Sequence, residues 1–166
     1  MPDFIKRLIV FFVFLLVQVL VCSRIQLFYV ATPLLYVYFI LMFPREYPRW
    51  GVLLWSFTLG ISIDMFANTP GLTAASTTFI GMLQPRVLSL FISRDMAEHI
   101  PTTARAMTWP KFTAYATFLV VAYCLVYCTL EAFSFFDIVR WALSVAGSAV
   151  LTLVLIIAIE NFRSSI

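Results

Sequence analysis

The chain has 166 residues, 63% of them apolar and 11% charged, with a net charge of +3 and a mean hydropathy of +0.99. Soluble domains are about half apolar and a quarter charged, and one core of this size has no room for so many Leu, Ile, Val and Phe side chains, so that class is excluded. Disorder is excluded by the same figures, because disordered chains are poor in apolar residues and rich in charge. What remains is a small integral membrane protein, a single polytopic domain over residues 1–166. It is all-α because hydrocarbon obliges each backbone polar group to pair within its own segment, and it has room for six spans at about 20 residues each.

In chain order, the first apolar stretch follows Lys6 and Arg7 and covers residues 8–22. It is similar to a signal peptide, but Val21 stands before Cys22 where a lipoprotein cleavage site wants a small residue, and five spans follow, so an uncleaved first helix is expected. A second stretch, 27–43, is interrupted by Thr32-Pro33 and ends at Pro44-Arg45-Glu46-Tyr47-Pro48-Arg49, whose prolines and charges do not belong in hydrocarbon. The third, 50–67, stops at Asn68-Thr69-Pro70-Gly71, a turn signal. The fourth, 72–92, leads into a polar segment from Ser93 to Lys111 that holds Arg94, Asp95, Glu98, His99 and Arg105. The fifth and sixth, 112–130 and 138–159, are separated by Glu131 to Asp137.

Orientation follows from the positive charges. With the N-terminus in the cytoplasm, Lys6, Arg7, Arg45, Arg49, Arg86, Arg94, Arg105, Lys111 and Arg163 fall inside, and only Arg24 and Arg140 fall outside. This bias places both termini in the cytoplasm, and Tyr29, Trp50, Trp109 and Trp141 then lie near the interfaces as amphipathic rings do. The small net charge gives no case for nucleic acid.

Catalytic constellations are missing from the sequence. His99 is the lone histidine, so a zinc H-E-x-x-H site is impossible and a Ser-His-Asp triad would hang on one loop residue. Gly60-Ile61-Ser62-Ile63-Asp64 lacks the closing glycine of a nucleophile elbow and reads as continuous helix. The five glycines are scattered and build no phosphate loop. Cys22, Cys124 and Cys128 imply no disulfide framework; Cys124 and Cys128, spaced i,i+4, read as small packing residues in preference to a metal or redox pair. No enzyme, cofactor or metal is expected.

Asp64 is the one acid well inside an apolar stretch, a placement that costs about 2.5–3.5 kcal/mol at a helix centre and less near an end. With Ser56 and Gly60 it forms a stripe of small or polar residues at i,i+4 spacing. The fourth stretch carries a matching stripe, Thr73, Thr77, Gly81 and Gln84, and the short turn through Pro70 and Gly71 makes the two helices antiparallel neighbours. Two readings stay open for Asp64: a structural one, in which it caps the helix-turn-helix or bonds to nearby hydroxyls, and direct contact with a partner or ligand. Gln18 and Gln84 read as helix-helix glue, Glu160 and Arg163 as an i,i+3 pair, and Glu131 and Asp137 as a solvated boundary.

The stretch Gly60-Ile61-Ser62-Ile63-Asp64-Met65-Phe66-Ala67-Asn68-Thr69-Pro70-Gly71-Leu72-Thr73-Ala74-Ala75-Ser76, with Phe79 to Leu90 including Gln84-Pro85-Arg86, resembles the bacterial rod shape-determining MreD family in its Bacteroidetes-type form. Many members carry a histidine soon after the turn glycine, where this chain has Thr73, and the turn here is a residue shorter than the commonest form; no role of that histidine carries over. The resemblance implies a six-helix bundle similar to the substrate-binding component of energy-coupling-factor transporters. It further implies a non-enzymatic subunit of the cell-elongation machinery in the cytoplasmic (inner) membrane. Its expected partner is a single-span protein resembling MreC, within a wider complex of MreB filaments, peptidoglycan synthase and transpeptidase. On this reading a partner helix packs on a small-residue groove near Ser56, Gly60 and Asp64, and the basic segment 93–111 meets cytoplasmic partners or lipid headgroups. The alternative is a vitamin-like small-molecule carrier, which requires a polar pocket with several convergent groups.

Overall fold

The computed structural model describes residues 2–20, 33–44, 46–92, 107–132 and 137–165. Among these residues every regular element is a helix: α1 (Pro2–Leu20), α2 (Val37–Leu41), α3 (Arg49–Ala67), α4 (Leu72–Phe91), α5 (Trp109–Ala132) and α6 (Ile138–Ser165). Cys22, Arg24, Tyr29, Thr32, Arg45 and the polar residues Arg94, Asp95, Glu98, His99 and Arg105 lie outside the described residues.

Three of these helices, α3, α5 and α6, are long and apolar enough to cross a membrane. At 1.5 Å per residue each reaches the roughly 30 Å of a bilayer's hydrocarbon. Their outward faces are those of a protein solvated by lipid: Trp50, Leu54, Phe57, Ile61 and Met65 run down one side of α3, and Val139, Leu143, Val150, Val154 and Ile157 down one side of α6, all exposed. α1 does the same with Phe4, Ile5, Ile9, Phe12 and Leu16.

The expected second span differs most from its sequence reading. Within its described part only Val37–Leu41 is α-helical. Pro33 has no N–H to give, and Val37, Tyr38 and Phe39 donate to the carbonyls of Leu34, Leu35 and Tyr36, three residues back, which is the tighter 3₁₀ pattern. This irregular stretch sits in the middle of the bundle, with Leu34 to Leu41 all buried. Its spare backbone groups are taken by side chains from other helices. Gln18 of α1 donates through Nε2 to the Pro33 carbonyl (3.0 Å) and accepts the Leu35 N–H at Oε1 (3.2 Å), while Thr152 of α6 accepts the Leu34 N–H at Oγ1 (3.1 Å). Non-helical backbone at membrane depth is tolerated on that condition. Gln18→Leu leaves two buried backbone groups unpaired, and we expect a loss of about 2–4 kcal/mol in detergent unfolding titrations, against under 1 kcal/mol for Leu16→Ala on the exposed face of the same helix.

The other elements close around this centre. Phe11 and Phe14 of α1 pack on Phe39 and Tyr38, Trp55 of α3 on Phe11 and Phe39, and Tyr123 of α5 on Tyr36, with the two phenols hydrogen-bonded to each other. Arg7 lays its guanidinium 4.1 Å from the Tyr47 ring centroid and 5.2 Å from that of Phe43, and Trp55 Nε1–H donates to Tyr47 Oη at 3.0 Å. In the same half of the bundle, Tyr38 donates its hydroxyl proton to the buried Glu160, beside which Arg163 stands at 4.0 Å. The expected i,i+3 pair is therefore present, joined by a tyrosine that sequence reasoning did not identify. α6 continues past its expected end at residue 159 to Ser165.

Candidate functional site

The candidate residues meet along one seam between α3 and α4, which pack against each other more extensively than any other pair of helices. Ser56, Gly60 and Asp64 face it from α3, and Thr73, Thr77, Gly81 and Gln84 from α4; all seven are buried. The approach is close enough to explain both glycines. A Cβ on Gly60 would lie 2.4 Å from the Ala74 Cα and 2.4 Å from Thr77 Oγ1; one on Gly81 would lie 2.5 Å from Ser56 Oγ. The Thr77 hydroxyl sits 2.9 Å from the Ser56 carbonyl oxygen and 2.8 Å from that of Thr73, sharing its proton between its own helix and the neighbour. Further along α4, Gln84 Nε2 donates to the Phe43 carbonyl at 3.0 Å and ties the seam to the central segment.

At the end of the seam lies the turn. Asn68 adopts the left-handed conformation (φ 57°, ψ 37°), and the N–H groups of Asn68 and Thr69 both reach the Asp64 carbonyl, the pattern that closes a helix C-terminus. Thr69 to Leu72 then forms a tight turn with Pro70 and Gly71 in its centre; Gly71 has φ 85° and ψ −11°, and the Leu72 N–H donates to the Thr69 carbonyl at 3.3 Å. These are the dihedrals of the third residue of a type II turn, which glycine adopts without a Cβ penalty.

Gly71 is also the N-cap of α4, and it has no side chain with which to cap. Asp64, a whole turn of α3 earlier, performs that task from across the hairpin. Its Oδ1 accepts the Thr73 N–H and its Oδ2 the Ala74 N–H, both at 2.9 Å, and Thr69 Oγ1 donates to Oδ1 at 3.1 Å. Leu72 is satisfied by the turn and Ala75 by the Gly71 carbonyl (3.0 Å), so the first four N–H groups of α4 are all accounted for. The carboxylate lies where the helix dipole favours negative charge. Asp64 thus ends α3 with its carbonyl and begins α4 with its side chain, which explains how an acid that is 5% exposed is accommodated in an apolar helix.

The face of α3 that carries Ser56, Gly60 and Asp64 is occupied by the chain's own α4. Of the expected candidates, Pro70 and Gly71 remain exposed, in the turn. They line a shallow cavity with Ile61, Asp64, Met65 and Asn68, and three of these lining residues, Ile61, Met65 and Asn68, are ones that sequence reasoning did not single out. Cys124 and Cys128 are free thiols buried on α5, and no group of three or more metal-ligating side chains occurs among the described residues. Comparison with protein-family models, curated proteins and solved structures finds no match to the chain.

Proposed function

We propose that the chain is a non-enzymatic, six-span scaffold of the bacterial cytoplasmic membrane, acting in the cell-elongation machinery as the MreD resemblance implies. In this reading it packs laterally against a single-span protein resembling MreC and helps couple cytoplasmic MreB filaments to lateral peptidoglycan synthesis. α1, the segment around α2, and α3 to α6 make the six crossings, with both termini inside. The observation that supports it best is the use to which the resemblance residues are put. From Gly60 to Gln84 the buried polar groups bind the chain to itself through Asp64, Thr77 and Gln84, and what the described residues offer to other molecules is chiefly apolar helix sides.

The test is co-expression with the MreC-like single-span protein of the same organism, followed by detergent purification. The expected result is co-elution of the two proteins, and rounding of rod-shaped cells when the chain is depleted. A vitamin-like small molecule bound in one-to-one amount, with no protein partner, would replace this proposal with the carrier reading.

A further inference from the structure

The α3–α4 turn presents an anion at the end of an apolar surface. The cavity between Ile61, Asp64, Met65, Asn68, Pro70 and Gly71 opens to the exterior: Met65 is 79% exposed, and a Cβ built on Gly71 meets nothing within 4 Å. Asp64, 5% exposed, is one of its lining residues. The donors it receives are two backbone N–H groups and the Thr69 hydroxyl, which are dipoles and bring it no countercharge. Oδ2, bonded to the Ala74 N–H alone, keeps a free lone pair. Among the described residues no Lys or Arg pairs with Asp64; Arg163 stands beside Glu160 at the far half of the bundle. The chain's own bases are concentrated at the opposite end, and the proposed outer side holds Arg24 and Arg140 alone.

We propose that this groove seats the outer end of a partner's single transmembrane helix, with apolar side chains against Ile61, Met65 and Phe66 and a Lys or Arg at its extracytoplasmic boundary directed to Asp64. The inference rests on the scaffold reading and gives it a surface and a charge rule. Charge complementarity selects the occupant. A neutral helix end fits the apolar wall but brings the carboxylate no countercharge, whereas a basic one places a cation beside a largely buried carboxylate, where the pairing is stronger than in water. Bases are uncommon on the outer flank of a span, so the requirement discriminates among the many helices of the membrane.

The experiment leaves Asp64 untouched, because it holds the turn together. Met65→Lys gives the groove its own ammonium group, and Met65→Leu serves as the conservative control. With the MreC-like protein co-expressed, we expect Met65→Lys to lower its co-elution at least tenfold and Met65→Leu to leave it unchanged. Replacing the partner's outermost flanking base by glutamine is expected to lower recovery by a similar factor with wild-type chain and to have little further effect with Met65→Lys. A photo-crosslinking residue at position 65 is expected to capture the partner, and one at Val154 on the exposed face of α6 is not. Capture from position 154 alone, full co-elution of Met65→Lys, or capture of phosphatidylethanolamine alone from position 65 each overturns the docking site while leaving the scaffold reading in place. Absence of co-elution with the wild-type chain removes both.

Discussion

Gly60→Leu is expected to force α3 and α4 apart and to lower stability by about 3 kcal/mol, at the upper end of what overpacking usually costs. The reason is the identity of the atom in the way. The first carbon of any side chain at this position meets the Ala74 Cα at 2.4 Å and the Ala74 amide nitrogen at 2.8 Å, and helical backbone does not rotate aside. Gly60→Ala is therefore also expected to be harmful. Gly81→Ala differs in kind, because its obstruction is a side chain, Ser56 Oγ at 2.5 Å. The Ser56 hydroxyl has no hydrogen-bond partner, so Ser56→Ala alone should be close to neutral and should recover most of the stability lost in Gly81→Ala. Unfolding of the four single variants and the Ser56→Ala/Gly81→Ala double variant in mixed micelles checks both statements. Equal sensitivity at positions 60 and 81, with no recovery in the double variant, would contradict the packing described.

Asp64→Ala is expected to cost about 3 kcal/mol or more, with the chain still inserted in the membrane. It removes three hydrogen bonds to the carboxyl group and leaves the Thr73 and Ala74 N–H groups without a partner in a buried site. Asp64→Asn should lie between, since an amide retains one acceptor oxygen and turns an N–H donor toward the other amide. Hydrogen exchange localises the effect: the first turn of α4 should lose protection in Asp64→Ala while α5 keeps its own. A uniform loss across the bundle, or none at Thr73 and Ala74, would show that the side chain does not hold α4. The substitution is also expected to weaken partner recovery, through loosening of the turn that carries the groove.

Most of the helical architecture was legible in the sequence, for reasons that particular residues make plain. The boundaries of α3 and α4 follow Pro48, Asn68, Pro70 and Gly71, residues whose backbone preferences act locally and need no tertiary context. The i,i+4 stripes through Gly60 and Gly81 marked the faces that meet, because only small side chains allow such an approach. The seam's ownership was legible only through the short turn at Pro70 and Gly71, which makes α3 and α4 antiparallel neighbours. A small-residue stripe looks the same whether it receives a partner or the next helix of its own chain, and the short turn decided in favour of α4. Asp64 as a cap was one of the two readings the residues left open, since a helix that starts after a glycine lacks a capping side chain and an acid seven positions upstream is available to a tight hairpin; its bonds to the Thr73 and Ala74 N–H groups show the cap. The irregular course of residues 33–36 was hinted at by Pro33, but the partners that make it tolerable, Gln18 and Thr152, are brought there by packing and leave no local trace.

Those partners fix an order of events during synthesis. The Leu34 N–H is received by a side chain 118 positions later in the chain, on the final helix. Until that helix has emerged from the ribosome and entered the bilayer, the innermost stretch of the protein has an amide with nothing to hold it, and water or a chaperone has to stand in. Maturation is thus sealed from the C-terminal side, and a polypeptide that stops at residue 137 is expected to insert its earlier helices yet be cleared by membrane quality control instead of accumulating.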